Sequence, residues 1–236
     1  MLLITDFFIM FDLGGYSTAI ILGLKNTLAV GLLAMLLAII IGFFGALAKT
    51  SSIIWLRNLA AFYTATVRGV PELILLLLVF YGVPTLVQDI AQGMNYDVIL
   101  DFNPFIAGTL TLGFIYGAFS TEVFRGAFNT VSKGQMEAAI AMGMTLWQCF
   151  RLVKLPQVIR FAIPGLSNVW MLLVKATALV SVIQLDDVMR MTKVAANATH
   201  KPFTAYLFAA LLYLLISAVS IVVQKYLEKR YLRGYS

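Results

Sequence analysis

The segment EAAIAMGMTLWQCFRLVKLP, which spans Glu137–Pro156, bears charges and a polar face and is set between long apolar runs. Glu-Ala-Ala at 137–139 is followed after three residues by Gly143, and the segment ends with Leu155 and Pro156. Apolar runs of about 20 residues are long enough to cross a bilayer as helices. The segment therefore predicts a surface element that docks another molecule at the aqueous face of a membrane-embedded chain.

The small residues and the glycine of this segment predict a helical hairpin. A helix that begins near Ser132 or Lys133 would present Ala139 and Gly143 on adjoining turns, where small residues let another protein approach the backbone. Gly143 is expected to end or bend this helix. A second short helix should stop before Pro156, because proline disfavours helix in its predecessor and has no N–H to donate. An ordinary surface hairpin with a glycine cap is the alternative interpretation.

The overall composition places the chain in a membrane. Of its 236 residues, 61% are hydrophobic and 12% are charged, and the mean hydropathy is +0.92. Soluble domains average roughly 45–50% apolar and about 25% charged residues. The formal net charge is +6, but the basic residues flank apolar runs and form no patch with interleaved aromatic residues. We therefore expect no nucleic-acid partner.

The residues that support catalysis or metal binding are too few. The chain has one cysteine, Cys149, and one histidine, His200, which leaves no internal disulfide, metal-ligand cluster or nucleophile with its base. No Gly-x-x-x-x-Gly-Lys-Ser/Thr string is present to hold nucleotide phosphates. We predict no enzymatic activity, no catalytic or metal site and no cofactor bound by this chain. We also expect no removable signal peptide in residues 1–11.

The apolar runs predict an all-α integral membrane protein with a single transmembrane domain over residues 1–236. Its five transmembrane helices are expected at about 17–48, 58–87, 104–124, 161–182 and 203–223. Residues of about 125–160 form the loop that contains the hairpin. A kink or a fresh helix start is expected at Pro71, and the fourth span is expected to start at Pro164.

The distribution of charge predicts the orientation. Basic residues gather beside one set of loops, at Lys49, Arg57, Arg125, Lys133, Arg151, Lys154, Arg160, Lys225, Lys229, Arg230 and Arg233. The other set carries Arg190, Lys193 and Lys201 with the acidic residues Asp6, Asp12, Asp89, Asp97, Asp101, Asp186 and Asp187. Because cationic flanks stay in the cytoplasm, we predict the N-terminus outside, the C-terminus inside and the hairpin in the cytoplasm.

Ionisable residues within or near the spans are candidates for function, because charge is costly in hydrocarbon. Arg68 and Glu72 are four residues apart, and Glu122 and Arg125 are three apart, so each pair can meet on one helix. One interpretation is that both are structural ion pairs that fix helix ends. The alternative is that Glu72 or Glu122 faces a translocation route and attracts a cationic solute.

The fourth span supplies two further candidates for that route. Lys175 lies near its middle and must snorkel, find a carboxylate or line a watery cavity. Asn168 lies on the same span. Together they predict a polar path through the membrane.

Several strings resemble the membrane subunits of ABC importers for polar and basic amino acids. The hairpin matches the loop by which such subunits grip their ATPases, with pattern E-A-A, three residues, G, nine residues, I, one residue, L-P; Val153 in place of Ile is the one departure. Further similar strings are RGVPE at 68–72, LGFIYGA at 112–118, TEVFRGA at 121–127 and KATALVS at 175–181. The first two are most similar to the Q-type subunit of histidine/lysine/arginine/ornithine or arginine/octopine importers.

The resemblance implies a type I importer fold and a subunit that moves a basic amino acid across the bacterial inner membrane by alternating access. Its partners would be a dimer of ABC ATPases that binds ATP and Mg, an M-type sister permease or a second copy, a periplasmic amino-acid-binding protein and membrane lipid. The residues that would seat in the ATPase cleft are Glu137, Ala138, Ala139 and Gly143, with Leu155 and Pro156 fixing the far end of the loop. The alternatives are a permease for another polar amino acid, a secondary transporter without ATP coupling, and a membrane scaffold without a solute path.

Overall fold

The structure is a computed structural model that describes residues 13–94, 96 and 101–232. Eight helices follow one another in this part of the chain: α1 (Tyr16–Lys49), α2 (Ile54–Gly69), α3 (Glu72–Gly93), α4 (Pro104–Thr130), α5 (Lys133–Ala141), α6 (Leu146–Ile183), α7 (Val188–Thr199) and α8 (Pro202–Leu232). Five of them, α1, α3, α4, α6 and α8, are long and apolar enough to cross a membrane. The predicted all-α class with five spans is confirmed. The expectations for residues 1–11, and the charges Asp6, Asp12, Asp97 and Arg233, lie outside the described residues.

The predicted second span, 58–87, is two helices in the structure. Val70 and Pro71 have extended backbone, with ψ of 136° and 133°, and separate α2 from α3. Pro71 lies at the start of α3 because its fixed φ and missing N–H suit the beginning of a helix. The membrane-crossing candidate is α3 alone.

The predictions that a helix stops before Pro156 and that the fourth span starts at Pro164 are wrong. Helix α6 runs through both prolines. Its backbone widens to π geometry over Cys149–Lys154, and Leu155 donates its N–H to the carbonyl of Phe150, five residues back. The wider turn accommodates a proline ring that would clash with the carbonyl four residues earlier in an α-helix.

Helix α3 repeats this arrangement. Its π segment, Leu78–Gly82, lies just before Pro84, and Val83 donates its N–H to the carbonyl of Leu78. In both helices the residue that precedes the proline therefore closes a bond five residues back. Pro84 and Pro156 therefore lie within these helices and do not end them.

The described residues form two compact units, each with its own apolar core. In the first unit, which contains residues 13–34, 71–112 and 172–219 within the described ranges, α1, α7 and α8 meet. Its core is made of small and branched side chains, among them Ile20, Val188, Ala195 and Ala209. Gly23 allows α1 to approach the start of α7 closely, because a Cβ there would lie 2.7 Å from the backbone of Asp187.

The second unit contains Met35–Val70, Gly113–Met171 and the described residues from 220 onward. Its core joins α1, α4 and α6 and is richer in aromatic residues, with Phe124 and Phe128 beside Ala46, Val158 and Ala162. Here α1 and α4 also approach closely, since a Cβ on Gly42 would lie 2.4 Å from the Cβ of Ser120. The hairpin and the Glu122–Arg125 pair both belong to this unit.

Candidate functional site

The first arm of the hairpin, α5, starts at Lys133 as predicted and ends in a left-handed turn. Gly143 has a φ of +85°, which glycine adopts without the steric cost of a Cβ. Its N–H donates to the carbonyl of Ile140 at 2.9 Å, and the N–H of Met144 donates to the carbonyl of Ala139 at 3.1 Å. These two bonds close a Schellman motif, so Gly143 ends the helix as the sequence predicts.

The second arm starts with a capping box. The hydroxyl of Thr145 accepts from the N–H of Gln148 at 3.3 Å, and the side chain of Gln148 accepts from the N–H of Thr145 at 2.8 Å. Phe150 packs on the core of the second unit, and the ammonium of Lys154 lies 5.4 Å from the ring centroid of Phe128. The turn is thus fixed at both helix ends, and its second arm is anchored to the unit.

Large apolar side chains around the turn are exposed. The exposed fractions of Ile140, Met142, Leu146 and Trp147 are 49%, 80%, 76% and 65%. Glu137 is exposed one turn before Ile140. We call these five residues the hairpin tip. Exposed apolar side chains gathered in one short segment are typical of a protein-binding surface.

The predicted coupling residues fall into two groups. Glu137, Ala138, Gly143 and Pro156 are exposed and Leu155 is half-buried, but Ala139 is only 5% exposed. Ala139 lies on the inward face of α5, one turn after the partly buried residues 135 and 136. Its small side chain lets α5 pack closely on its own chain, so the expected outward contact of Ala139 is corrected to an internal one.

Glu122 lies between two cations in the second unit. Lys49, at the end of α1, forms an ion pair with Glu122 and donates to the hydroxyl of Thr64 on α2 at 2.6 Å. Arg125 places a guanidinium nitrogen 2.8 Å from the other carboxylate oxygen. The Glu122–Arg125 pair is as predicted. The sequence gives no signal for Lys49, because 73 residues separate it from Glu122.

Arg68 and Glu72 lie on different helices, although the predicted pair placed them on one helix. Arg68 belongs to the last turn of α2, and its guanidinium carbon lies 5.2 Å from the ring centroid of Phe119. Glu72 begins α3 and is half-buried. The helix break at Val70–Pro71 removes the i,i+4 relation that the prediction assumed.

Asn168 and Lys175 lie two turns apart on α6 and are both exposed, with exposed Leu172 between them. The spacings of four and three residues put all three on one helix face. The polar path itself stays a prediction.

A second acidic site, at the start of α7 in the first unit, is not indicated by the sequence. The Asp187 side chain caps α7 by accepting from the N–H of Arg190 at 2.8 Å, and the residue is 0% exposed. The hydroxyl of Thr27 on α1 accepts from the N–H of Val188 at 3.2 Å. Burial raises the pKa of Asp187 from 3.8 to about 6, against the backbone N–H groups of Arg190 and Met189, which lower it. Asp187 is buried, whereas the preceding residue, Asp186, is exposed. This difference depends on the packing of helices that are distant in the sequence, so residue spacing alone does not indicate it.

Acidic and sulfur or imidazole ligands do not gather anywhere in the part of the chain that the structure describes. No group of three His, Cys, Asp or Glu residues is placed there to hold a metal ion. The candidate positions for function are the hairpin tip, the charged and polar residues of the spans, and the carboxylates of Glu122 and Asp187.

Comparison with known proteins identifies the class of protein to which this chain belongs. Residues 38–233 match the family described as the binding-protein-dependent transport system inner membrane component. The chain belongs to this family. It is a multi-pass membrane permease of an ABC importer, in which ATP hydrolysis is carried by a separate ATPase subunit. Such a permease works with an ATPase, a substrate-binding protein and a second permease.

Individual relatives show which members of this family the chain is similar to. The histidine/lysine/arginine/ornithine transport system permease protein HisQ of Salmonella typhimurium is 43% identical over 220 residues, which cover 93% of this chain and 96% of the relative. The nopaline transport system permease protein NocQ of Agrobacterium fabrum is 41% identical over 207 residues, which cover 87% and 88%. The crystal structure of an amino acid ABC transporter with histidines matches with a TM-score of 0.78 at 30% identity, over 91% of this chain and 95% of that one.

The fold extends to a more distant transporter. A chain of the MetNI methionine ABC transporter matches with a TM-score of 0.71 at 16% identity, over 90% of this chain and 96% of that one. The resemblance to ABC importer permeases inferred from the hairpin is confirmed.

Proposed function

We propose that this chain is the Q-type permease subunit of an importer that carries a basic amino acid across the bacterial inner membrane. The relatives named for histidine, lysine, arginine and ornithine support the solute class. Its partners are a periplasmic binding protein, an M-type sister permease or a second copy, and a pair of ATPases that bind ATP and Mg²⁺. The basic flanks support a cytoplasmic hairpin and C-terminus.

The hairpin tip carries the coupling part of this proposal. It combines exposed apolar side chains with the exposed carboxylate of Glu137 on a turn that is closed by a Schellman motif and a capping box. The following helix, α6, runs from the tip through Ile183 as one continuous element. Closure of the ATPases would displace the tip, and α6 would carry that displacement into the membrane and favour alternating access.

Among the acidic candidates, Glu122 fits a structural role, and Glu72 is the proposed contact for a cationic solute. Two cations already balance the Glu122 carboxylate, which supports a structural role for Lys49, Glu122 and Arg125. Glu72 sits at the first turn of α3, at one end of a membrane-crossing candidate. The exposed face with Asn168 and Lys175 is the proposed polar path on α6.

The decisive experiment is ATP-driven uptake of labelled arginine and histidine by the assembled transporter in proteoliposomes. We expect Glu137→Lys to lower both uptake and solute-stimulated ATP hydrolysis about tenfold, the equivalent of about 1.4 kcal/mol of lost coupling contact. Asp101→Lys makes the same charge change at another exposed position and should leave both rates unchanged.

Other outcomes would identify a different function. Normal uptake by Glu137→Lys would contradict the coupling role of the tip. Uptake that follows an ion gradient without ATP would identify a secondary transporter. Assembly without uptake of any amino acid would identify a scaffold.

A further inference from the structure

The start of α7 encloses a carboxylate without a matching charge. Asp187 is 0% exposed, and although its Oδ1 accepts the N–H of Arg190, its Oδ2 has no hydrogen-bond partner among the residues that the structure describes. A buried ionised carboxylate is costly unless it is paired or takes up a proton. Asp187 therefore needs a positively charged or hydrogen-donating occupant beside Oδ2.

The guanidinium of Arg190 is directed elsewhere. It lies 3.1 Å from the carboxylate of Asp186, through its Nε, and it also donates to the backbone carbonyl of Gln184. Its influence on Asp187 is the smallest of the stabilising interactions, after the backbone N–H groups. The exposed neighbour Asp186 thus takes the cation, and the buried Asp187 does not.

The remaining surroundings of Asp187 are uncharged hydroxyl groups. Tyr213 on α8 lies near Asp187, and its hydroxyl group faces those of Thr27 and Thr177. Thr27 comes from α1 and Thr177 from the last turns of α6. Within the same ranges, the charged or titratable groups that face Asp187 are Arg190 on its own helix and Tyr213 on α8.

We propose that Asp187 is a proton-binding site, in which the carboxyl takes up one proton at Oδ2 and so loses its charge inside the packed helices. This balances the site with no other cofactor, since a proton from water adds to the carboxylate and removes its charge. Asp187 itself lies between Ile183 and Pro202, in the connection between two membrane-crossing candidates, whereas Thr27, Thr177 and Tyr213 lie within three of the five candidates. The raised pKa of about 6 agrees with this geometry.

Protonation of Asp187 changes the stability of the contact between α7 and α1. Asn26 donates to the carbonyl of Asp186 at 2.8 Å, Thr27 accepts the N–H of Val188, and Gly23 packs against the backbone of Asp187. These contacts fix the two residues that flank the carboxyl, so Asp187 cannot reach bulk water without separating α7 from α1. The proton therefore stabilises this packing, and a higher pH weakens it.

The test is infrared spectroscopy of the assembled transporter during a pH titration, because a protonated carboxyl has its own C=O stretching band. We expect a band that disappears with a midpoint near the Asp187 pKa of about 6 in the native chain and in Asp101→Asn, which removes an exposed carboxylate elsewhere. The band should be missing in Asp187→Asn, whose side chain can still cap the helix. Asp187→Ser is the second neutral cap, for use if the asparagine variant does not assemble.

Thermal unfolding supplies an independent measurement. The folded pKa is raised, so the native chain should lose stability relative to Asp187→Asn as pH rises from about 4 to about 6, with no further change above that range. Identical pH profiles for the two chains, or a carboxyl band that persists in Asp187→Asn, would overturn the proposal. A response to replacement of Na⁺ by choline at constant pH would overturn the proton assignment in favour of a metal cation. None of these results depends on uptake or on the ATPase.

Discussion

Glu122 and Asp187 are acidic residues inside the helix packing of the two units, and they are neutralised in different ways. Glu122 accepts from Lys49 and Arg125, so its charge is balanced by side chains from α1 and α4. Asp187 is held by backbone N–H groups and surrounded by hydroxyls, while its nearest guanidinium pairs with Asp186. An ion pair therefore fixes a carboxylate in one charge state, whereas burial without a cation makes it responsive to pH.

The largest expected effect comes from Glu122→Gln. The amide keeps the shape of the side chain but leaves Lys49 and Arg125 as two half-buried cations without their shared anion. We expect a loss of about 3 kcal/mol in the free energy of unfolding, because removing one partner of a buried pair costs more than the pair contributes. Denaturant unfolding of the assembled transporter measures it. Asp101→Asn, at an exposed carboxylate, should change the stability by less than about 0.5 kcal/mol.

A smaller effect is expected where the two helices of the Asp187 site approach each other. In Gly23→Ala the new Cβ would lie 2.7 Å from the carbonyl of Asp187 and 2.9 Å from the nitrogen of Val188, both backbone atoms that have little room to move. We expect a loss of about 2 kcal/mol from overpacking, together with a fall in the Asp187 pKa as water enters.

The matched control for this change is Gly126→Ala on α4, where a Cβ would meet nothing within 4 Å. It should raise the stability by about 0.5 kcal/mol, because alanine favours a helix more than glycine does. Equal effects of the two alanines in thermal unfolding would contradict the close approach of α1 to α7.

Thr27→Val should have the smallest effect of the three. It removes the hydroxyl that accepts the N–H of Val188 and leaves that donor buried without a partner. We expect a loss of about 1 kcal/mol and faster hydrogen exchange at Val188, measured by mass spectrometry on the native complex. Thr130→Val, at an exposed hydroxyl that donates only within α4, is the control and should leave exchange at Val188 unchanged. Slow exchange at Val188 in Thr27→Val would show that Thr27 does not hold α7.

Local sequence signals predicted much of the fold and of the hairpin. The apolar runs correspond to the five membrane-crossing candidates, and Gly143 ends α5 because its left-handed turn is a local property of the backbone. The hairpin pattern also led to the correct family. Each of these features depends on residues that are close together in the chain.

The predictions that were wrong or missing have physical causes that the spacing of residues in the sequence does not reveal. Pro156 and Pro164 lie within α6, because a π turn before Pro156 and the packing of a long helix outweigh the local preference of proline. Lys49 reaches Glu122 only when α1 and α4 pack side by side. Asp187 is buried and Asp186 exposed although both are aspartates in succession, since their environment is decided by where α1 crosses the start of α7.

The π segment Cys149–Lys154 has a mechanical consequence for the hairpin that precedes it. In α geometry the ring of Pro156 would clash with the carbonyl of Leu152, four residues earlier, so the proline keeps this turn wide. Because a π turn contains more residues than an α turn, the wide turn sets the rotation of the tip about the axis of α6. A single proline therefore determines the direction in which the tip is presented.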